Sequence, residues 1–285
     1  MTSYLVTGAH GMLGTDVGAG LAGREVSLLA RAELDITDYD AVKDRLAGVD
    51  VVINASAYTR VDDAEGDEDA ATAVNAAGPA NLAKAAAANG AVLVQVSTDY
   101  VFDGTGTTPY AESTPLSPRS AYGRTKAEGE RLALAANPES TIILRTAWLY
   151  GRHGSNFAST MLRLAEERDT VAVVADQIGQ PTWSADVASQ LVALLDSGVR
   201  SGIFHATNSG HASWFDFARA LFTGAGLDPN RVTPTTSADY PRPAPRPAYS
   251  VLGHEAWATV GLEPMRPWED ALASALASGA IGSRP

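Results

Sequence analysis

Cysteine is absent from all 285 residues, which excludes disulfides and thiolate metal sites and fits a reducing compartment. No apolar run reaches the roughly 18 residues that would suggest a membrane span. Basic residues are scarce: 21 Lys and Arg face 33 Asp and Glu, and the formal net charge is −12. A nucleic-acid binder needs a basic face, so that class is excluded. An anionic ligand would need local Arg or Lys to hold it against the overall field. No basic-then-apolar leader is read at the N-terminus, where Thr2–Thr7 runs straight into a glycine loop. These absences predict a cytoplasmic protein that engages neither membrane nor nucleic acid. The 45% hydrophobic content is that of an ordinary globular chain, long enough for one large domain or two modest ones.

Strands and helices alternate from residue 4 to 146. Tyr4-Leu5-Val6 is a short apolar strand, and Gly8-Ala9-His10-Gly11-Met12-Leu13-Gly14 follows almost at once, opening a helix over 12–22. Glycines at 8, 11 and 14 lie close to the dinucleotide fingerprint. One allows the tight turn, one lets backbone approach a pyrophosphate, and one packs helix on strand. The helix N-terminus then offers unpaired N–H groups to phosphates. Gly8, His10, Gly11, Met12, Leu13 and Gly14 are therefore candidate cofactor contacts, His10 as a loop residue and not a catalyst. Strand 25–30 ends at Arg31, where such folds meet the adenosine ribose, and an arginine there favours a 2′-phosphate and hence NADPH. Glu33 and Asp35 stand where a ribose-binding acid is sought, so NADH stays open. Asp35 and Ile36 would pass near the adenine, and Asp38 caps a short helix over 39–47.

Strand 50–54 leads into Ala55-Ser56-Ala57, small residues on which a cofactor could lie. The acidic stretch 60–69 reads as a solvated loop and helix start. An alanine-rich helix over 70–89 then stops at Asn89-Gly90. Strand 91–96 delivers Ser97 and Thr98 to its carboxyl end, the edge where open parallel sheets bind ligands. After a flexible loop at 103–109, Ser117 or Ser120 caps a helix over 120–133. On it Tyr122 and Lys126, four residues apart, share a face. A lone Tyr-x-x-x-Lys is usually a solvated helix face. Beside Thr98, however, the phenol and ammonium suit delivery of a proton to a carbonyl oxygen as it becomes an alkoxide.

With strand 140–146 the pattern predicts an α/β fold, a doubly wound parallel sheet of the Rossmann type. Residues 1–148 would form the dinucleotide-binding domain, joined by 184–206. Segments 149–183 and 207–285 would form a smaller C-terminal α/β substrate domain. Within these later segments we expect helices over 156–168, 184–196, 213–224 and 264–278, strands over 170–174 and 202–205, and a loop over 176–182. The proline-dense stretch 240–247 reads as an ordered loop whose Arg242 and Arg246 either meet a diphosphate or lie on the surface.

Several longer segments resemble the extended short-chain dehydrogenases and, within them, the dTDP-4-dehydrorhamnose reductases. They are the glycine loop, Asn54–Asp62, Ser97-Thr98-Asp99-Tyr100-Val101-Phe102, Tyr122–Lys126, Arg145–Gly151, Asp176-Gln177-Ile178-Gly179-Gln180-Pro181-Thr182 and Arg246-Pro247. The resemblance implies NAD(P)H-dependent reduction of the C4 ketone of dTDP-4-dehydro-L-rhamnose. It makes Tyr122 the proton donor, Lys126 its partner and ribose anchor, and Thr98 the hydrogen-bond donor to the carbonyl. Ser97 joins the cofactor contacts. Thr59, Val61, Asp99, Tyr100, Trp148 and Arg246 would line the substrate pocket, although Trp148 could equally be a core residue of the strand exit. The positive charges of Lys126 and oxidised nicotinamide should lower the Tyr122 pKa. Some relatives bridge a dimer through magnesium. Asp16 holds one such acidic position, but the other ligands are not identifiable, so no metal is assigned and the chain is expected as monomer or homodimer. Tyr249 and Gly253 depart from the resemblance, standing where Asn and Asp are expected.

Overall fold

The computed structural model describes residues 2–281. Its centre is a six-stranded parallel sheet built from β1 (Ser3–Thr7), β2 (Glu25–Leu29), β3 (Val51–Asn54), β4 (Val92–Thr98), β5 (Thr141–Thr146) and a late strand, Gly202–His205. The spatial order runs from Gly202–His205 through β5, β4, β3 and β1 to β2 at the far edge. Residues of β3 and β5 are buried along their whole length, as β-branched and aliphatic runs should be when helices cover both faces. Alternation sorts the side chains between two cores. Val6, Ile53, Val94 and Leu144 pack against α1 (Met12–Gly20) and a helix over Ser184–Asp196. Leu5, Val52 and Leu93 pack on the other side with Val42 of α2 (Tyr39–Arg45) and with the helices that follow.

Those helices are not the single rod expected over 70–89. The segment is divided into α3 (Glu68–Thr72), a π-helical turn (Ala73–Ala77) and α4 (Gly78–Asn89), where Gly90 (φ +66°) closes it. The turn carries Asn75, whose amide accepts from the Tyr58 N–H at 2.8 Å and donates to Thr125 Oγ1 at 3.1 Å. An extra residue in the helix thus aims a polar side chain sideways at the loop after β3, a frequent use of π turns near sites. Ser120, not Ser117, caps α5 (Ala121–Ala136), accepting from the Gly123 N–H at 3.0 Å. Asp38 caps α2 as expected.

A third core gathers α6 (Phe157–Glu167), a helix over Trp214–Gly224 and the C-terminal helix around the parallel pair Val171–Val174 and Val232–Thr235. The expected loop at 176–182 contains two short strands. Ile178–Gly179 pairs with Ala212–Ser213, and Thr182–Trp183 with Leu149–Tyr150. These two-residue pairings are too short to show period-two patterning in a sequence. The last helix starts at Trp268, because Pro267 holds an extended backbone at its N-cap. A short helix over Glu255–Thr259 precedes it. No described helix is long and apolar enough to cross a membrane.

Candidate active site

The carboxyl ends of β1 and β3–β5 open onto a cavity of 1490 Å³. A pocket for one small ligand typically measures about 300–1,000 Å³, so this one has room for a cofactor and a second molecule. The glycine loop forms one wall. Gly8 turns at φ +65°, and a Cβ there would lie 2.7 Å from the backbone of Ala55 and Ser56. A Cβ on Gly14 would run into the Gly8 carbonyl. Only glycine therefore lets the loop, α1 and the end of β3 close together. Gly11, the N-cap of α1, supplies no side chain to the helix's first N–H groups, and Gly11, Met12 and Leu13 line the cavity. That bare helix end is a fit for a pyrophosphate. His10 is exposed and is not among the lining residues.

Arg31, Asp35 and Ile36 reach the same cavity. Both acids near the tip of β2 are engaged locally. Glu33 accepts from the Ala30 N–H at 2.8 Å, and Asp35 accepts from the Thr37 N–H and hydroxyl at 3.0 and 2.8 Å. The Thr37 bonds and then Arg31 hold the Asp35 pKa below its usual range. Arg31 stays 82% exposed, with Asp35 as a distant partner at 3.7 Å. The tip therefore presents a cation and spends its carboxylates on the turn, which suits a 2′-phosphate better than a free ribose hydroxyl. Ala55, Ser56 and Ala57 form the floor. Asn54 shapes it, accepting from Thr7 Oγ1 and from the Ser56 N–H while donating to Gln95.

Thr98, Tyr122 and Lys126 line the same cavity, as do Thr59, Val61, Asp99, Tyr100, Trp148 and Arg246. Tyr122 and Lys126 project from the first turns of α5, whose N-terminus is fastened from outside. Glu65 accepts from the Ala121 N–H at 2.7 Å, and Glu68 pairs with Arg124 at 2.7 Å. Asp62 holds Arg246 at 2.9 Å and the Ala244 N–H at 3.2 Å. The acidic stretch is thus more than the solvated loop its composition suggested. Three of its carboxylates meet a helix N-terminus or an arginine, and those partners lie far off in the chain.

Burial dominates the electrostatics. The Tyr122 pKa is pushed up to about 12 by burial, with Thr98 opposing and Asp99 reinforcing. The lowering expected from Lys126 is absent from this shift, which burial dominates. Lys126 donates to the Val96 carbonyl at 2.6 Å, and its own pKa is lowered by burial to about 8, with Glu130 opposing. The phenol is thus kept as an acid with its proton attached. Asp99 is buried and its pKa is raised to about 6. Its Oδ2 and the Thr146 hydroxyl, both buried behind the cavity wall, have no hydrogen-bond partner.

Ser97 also lines the cavity. Its hydroxyl donates to Glu130 Oε1. Trp148 resolves into a wall residue under strain. It has φ +46°, unusual for any residue but glycine, and its indole stacks on Trp214 at 3.5 Å and 6°. A Cβ on Gly179 would collide with that indole. Phe157, part of the Asn156-Phe157 segment that shares the family resemblance, and Trp214 also line the cavity; Trp214 gave no signal beyond an aromatic at a helix start. Among the described residues no cluster of three or more His, Cys, Asp or Glu could hold a metal. Asp16 bonds Ser184 instead.

A glycine-loop dinucleotide fold with a Thr, Tyr and Lys at the sheet's carboxyl edge defines an extended short-chain dehydrogenase/reductase. The model of one family, described as RmlD substrate binding domain, matches residues 1–281, and the chain belongs to that family. It is 50% identical over 277 residues to a dTDP-4-dehydrorhamnose reductase of Streptomyces griseus, covering 94% of this chain and 91% of the relative. A probable dTDP-4,6-dihydroxy-2-methyloxan-3-one 4-ketoreductase of Streptomyces antibioticus is also 50% identical, over 95% of this chain and 94% of the relative. A crystal structure of dTDP-4-dehydrorhamnose reductase from Bacillus anthracis in complex with NADP superposes with a TM-score of 0.94 at 36% identity, covering 98% and 100% of the two chains.

Proposed function

We propose that the protein reduces the C4 ketone of dTDP-4-dehydro-L-rhamnose to dTDP-L-rhamnose with NADPH. The convergence of Thr98, Tyr122 and Lys126 on one cavity beyond the glycine loop carries this reading. Residues 1–148 with 184–206 hold the cofactor, and 149–183 with 207–285 hold the sugar nucleotide. Bound NADPH supplies the hydride that reduces the ketone carbon. The glycine loop and the α1 N-terminus hold its pyrophosphate, Arg31 its 2′-phosphate, Ala55–Ala57 its ring face, and Lys126 its ribose. Tyr122, fully protonated at neutral pH, gives its proton to the ketone oxygen as charge develops there, and Thr98 stands beside it as a second hydroxyl. Thr59, Val61, Asp99, Tyr100 and Trp148 shape the sugar site, and Arg246 meets the diphosphate from the proline-rich strap. The cysteine-free, acidic chain works in the cytoplasm as a monomer or homodimer.

The test is NADPH oxidation by the purified protein with dTDP-4-dehydrorhamnose, then with its UDP counterpart. One NADPH should be consumed per ketone reduced. An epimerase or dehydratase on this scaffold would return its cofactor unchanged, and a non-catalytic binding module would hold NADPH without turnover. The residue after Asp99 is Tyr100, not the glutamate base a 4,6-dehydratase would need. The relative named as a probable 4-ketoreductase carries reduction of a 4-ketone in its name, on a differently named dTDP-sugar.

A further inference from the structure

The Thr98 hydroxyl has one proton to give and two lone pairs to receive with. It accepts from the Tyr100 N–H at 3.3 Å and sits 2.9 Å from Asp99 Oδ1. An ionised carboxylate only accepts. While Asp99 is charged, the single Thr98 proton is therefore committed to it, and the remaining Thr98 lone pair faces outward as an acceptor. In that state Thr98 cannot donate to a substrate oxygen, and it competes for the Tyr122 phenol proton. Protonation of Asp99 on Oδ1 reverses the bond. Asp99 then donates to Thr98, both Thr98 lone pairs are filled, and its proton turns to the cavity.

We propose that Asp99 is a positioning residue whose protonated form turns the Thr98 hydroxyl toward the substrate ketone, so that reduction runs through the enzyme carrying a proton on Asp99. The inference rests on the reductase reading above. The proton is taken from solvent before the ketone reacts and stays on Asp99 through turnover; the proton delivered to product comes from Tyr122. The surroundings favour this state. Asp99 is 3% exposed, its Oδ2 has no partner, and a neutral carbonyl oxygen is cheaper to leave unpaired than a charged one. Burial raises its pKa to about 6, against the Ser250 and Thr98 hydroxyls. The titratable neighbours are Tyr122 from α5 and Tyr100 from its own segment. Lys126 is bound to the Val96 carbonyl, and Asp62 and Arg246 are paired with each other.

The experiment is the pH profile of kcat/KM for NADPH oxidation with dTDP-4-dehydrorhamnose, from pH 5 to 9, for the parent, Asp99→Asn and Thr98→Val. The parent should lose about tenfold per pH unit above the Asp99 ionisation. Asparagine keeps a donor toward Thr98 and does not titrate. Asp99→Asn should therefore lack that limb at whatever rate it turns over, while any limb from Lys126 near pH 8 persists. Thr98→Val should be slower and also lack the Asp99 limb, and it carries the test if Asp99→Asn fails to fold. An Asp99 limb that survives in either variant overturns the proposal, as does an Asp99→Asn enzyme with NADPH affinity intact but no turnover at any pH. A parent that never oxidises NADPH with this substrate overturns the reductase reading along with it.

Discussion

Ser97 and Thr98 are successive residues at the end of β4, and the pleat sends them into polar clusters of opposite character. Ser97 faces Glu130, which also holds the Arg145 guanidinium at 2.7 Å. Arg145 goes on to the Glu112 carbonyl at 3.1 Å and His205 Nε2 at 3.2 Å, and His205 Nδ1 meets the Gly253 carbonyl at 2.9 Å. Arg145 and Glu130 are 2% and 1% exposed, and no side-chain atom of this group is left without a partner. Thr98 faces Asp99, Tyr122 and the cavity, where Asp99 Oδ2 and Thr146 Oγ1 lack partners and the phenol and carboxyl pKa values move up. One cluster is closed on itself and holds β4, β5, α5 and the late strand in register. The other is left incomplete beside the cavity, with buried oxygens that find no partner. A fully satisfied polar network specifies geometry, whereas an unsatisfied one stores the capacity to bind.

If that division holds, changes on the Thr98 side should strike turnover and spare stability. Tyr122→Phe is the strongest case. Removing the phenol proton should cost on the order of 10²–10⁴ in kcat, with NADPH affinity by fluorescence titration nearly unchanged. Turnover within threefold of the parent would mean that another group is the acid. The Ser97 side should behave the other way. Glu130→Gln or Arg145→Met leaves a buried charge without its partner and should lower unfolding free energy by about 3–5 kcal/mol in urea titration. Glu130→Gln with Arg145→Met together should lose less than the sum of the two. Additive losses would show that the ion pair is not the unit that holds this cluster.

A test at the boundary uses Gly179. Its Cβ would strike the Trp148 indole, which is pinned against Trp214 and cannot simply swing aside. Gly179→Ala should raise the KM for the sugar nucleotide about tenfold, within the ~1–3 kcal/mol of an overpacked site, and leave the NADPH affinity alone. An unchanged KM would place Trp148 outside the substrate wall.

What could be read in the sequence was what repeats or has a local cause. The strands of the sheet announced themselves as apolar runs, the glycine loop by spacing, the Tyr122 and Lys126 pair by helical period, and the Asp38 cap by residue type. What escaped notice depends on partners distant in the chain. Glu130 looks like an ordinary surface charge, and the partner that strand residue Arg145 needs is not apparent, until β5 and α5 are laid together. Asp62 lay within an acidic run, and its partners stand about 180 residues later, in the strap. Trp214 lacked a periodic signal because its role is set by one stacking contact across the cavity. The direction of the Tyr122 shift was missed for a related reason. Charge neighbours can be guessed from spacing, but the depth of burial that outweighs them cannot.

The smallest expected effect tests whether the closed cluster is as inert as its geometry suggests. His205 is buried between Arg145 and the Gly253 carbonyl, and burial followed by the Arg145 charge depresses its pKa to about 3. In the unfolded chain it should titrate near 6.5. Between those values the unfolded state takes up a proton that the native state refuses. The contribution of His205 to stability is therefore complete above pH 6.5 and is lost as pH falls through the window toward 3. At pH 5.5 the loss is about 1.4 kcal/mol relative to pH 7.5. Glutamine can still accept from Arg145 and donate to Gly253 but does not titrate. His205→Gln should thus show a smaller drop in urea-unfolding free energy between pH 7.5 and 5.5 than the parent, by about that amount, with turnover at pH 7.5 little changed. An equal drop in both proteins would mean that the imidazole is protonated in the native state, and that the cluster behind Ser97 is less closed than its hydrogen bonds imply.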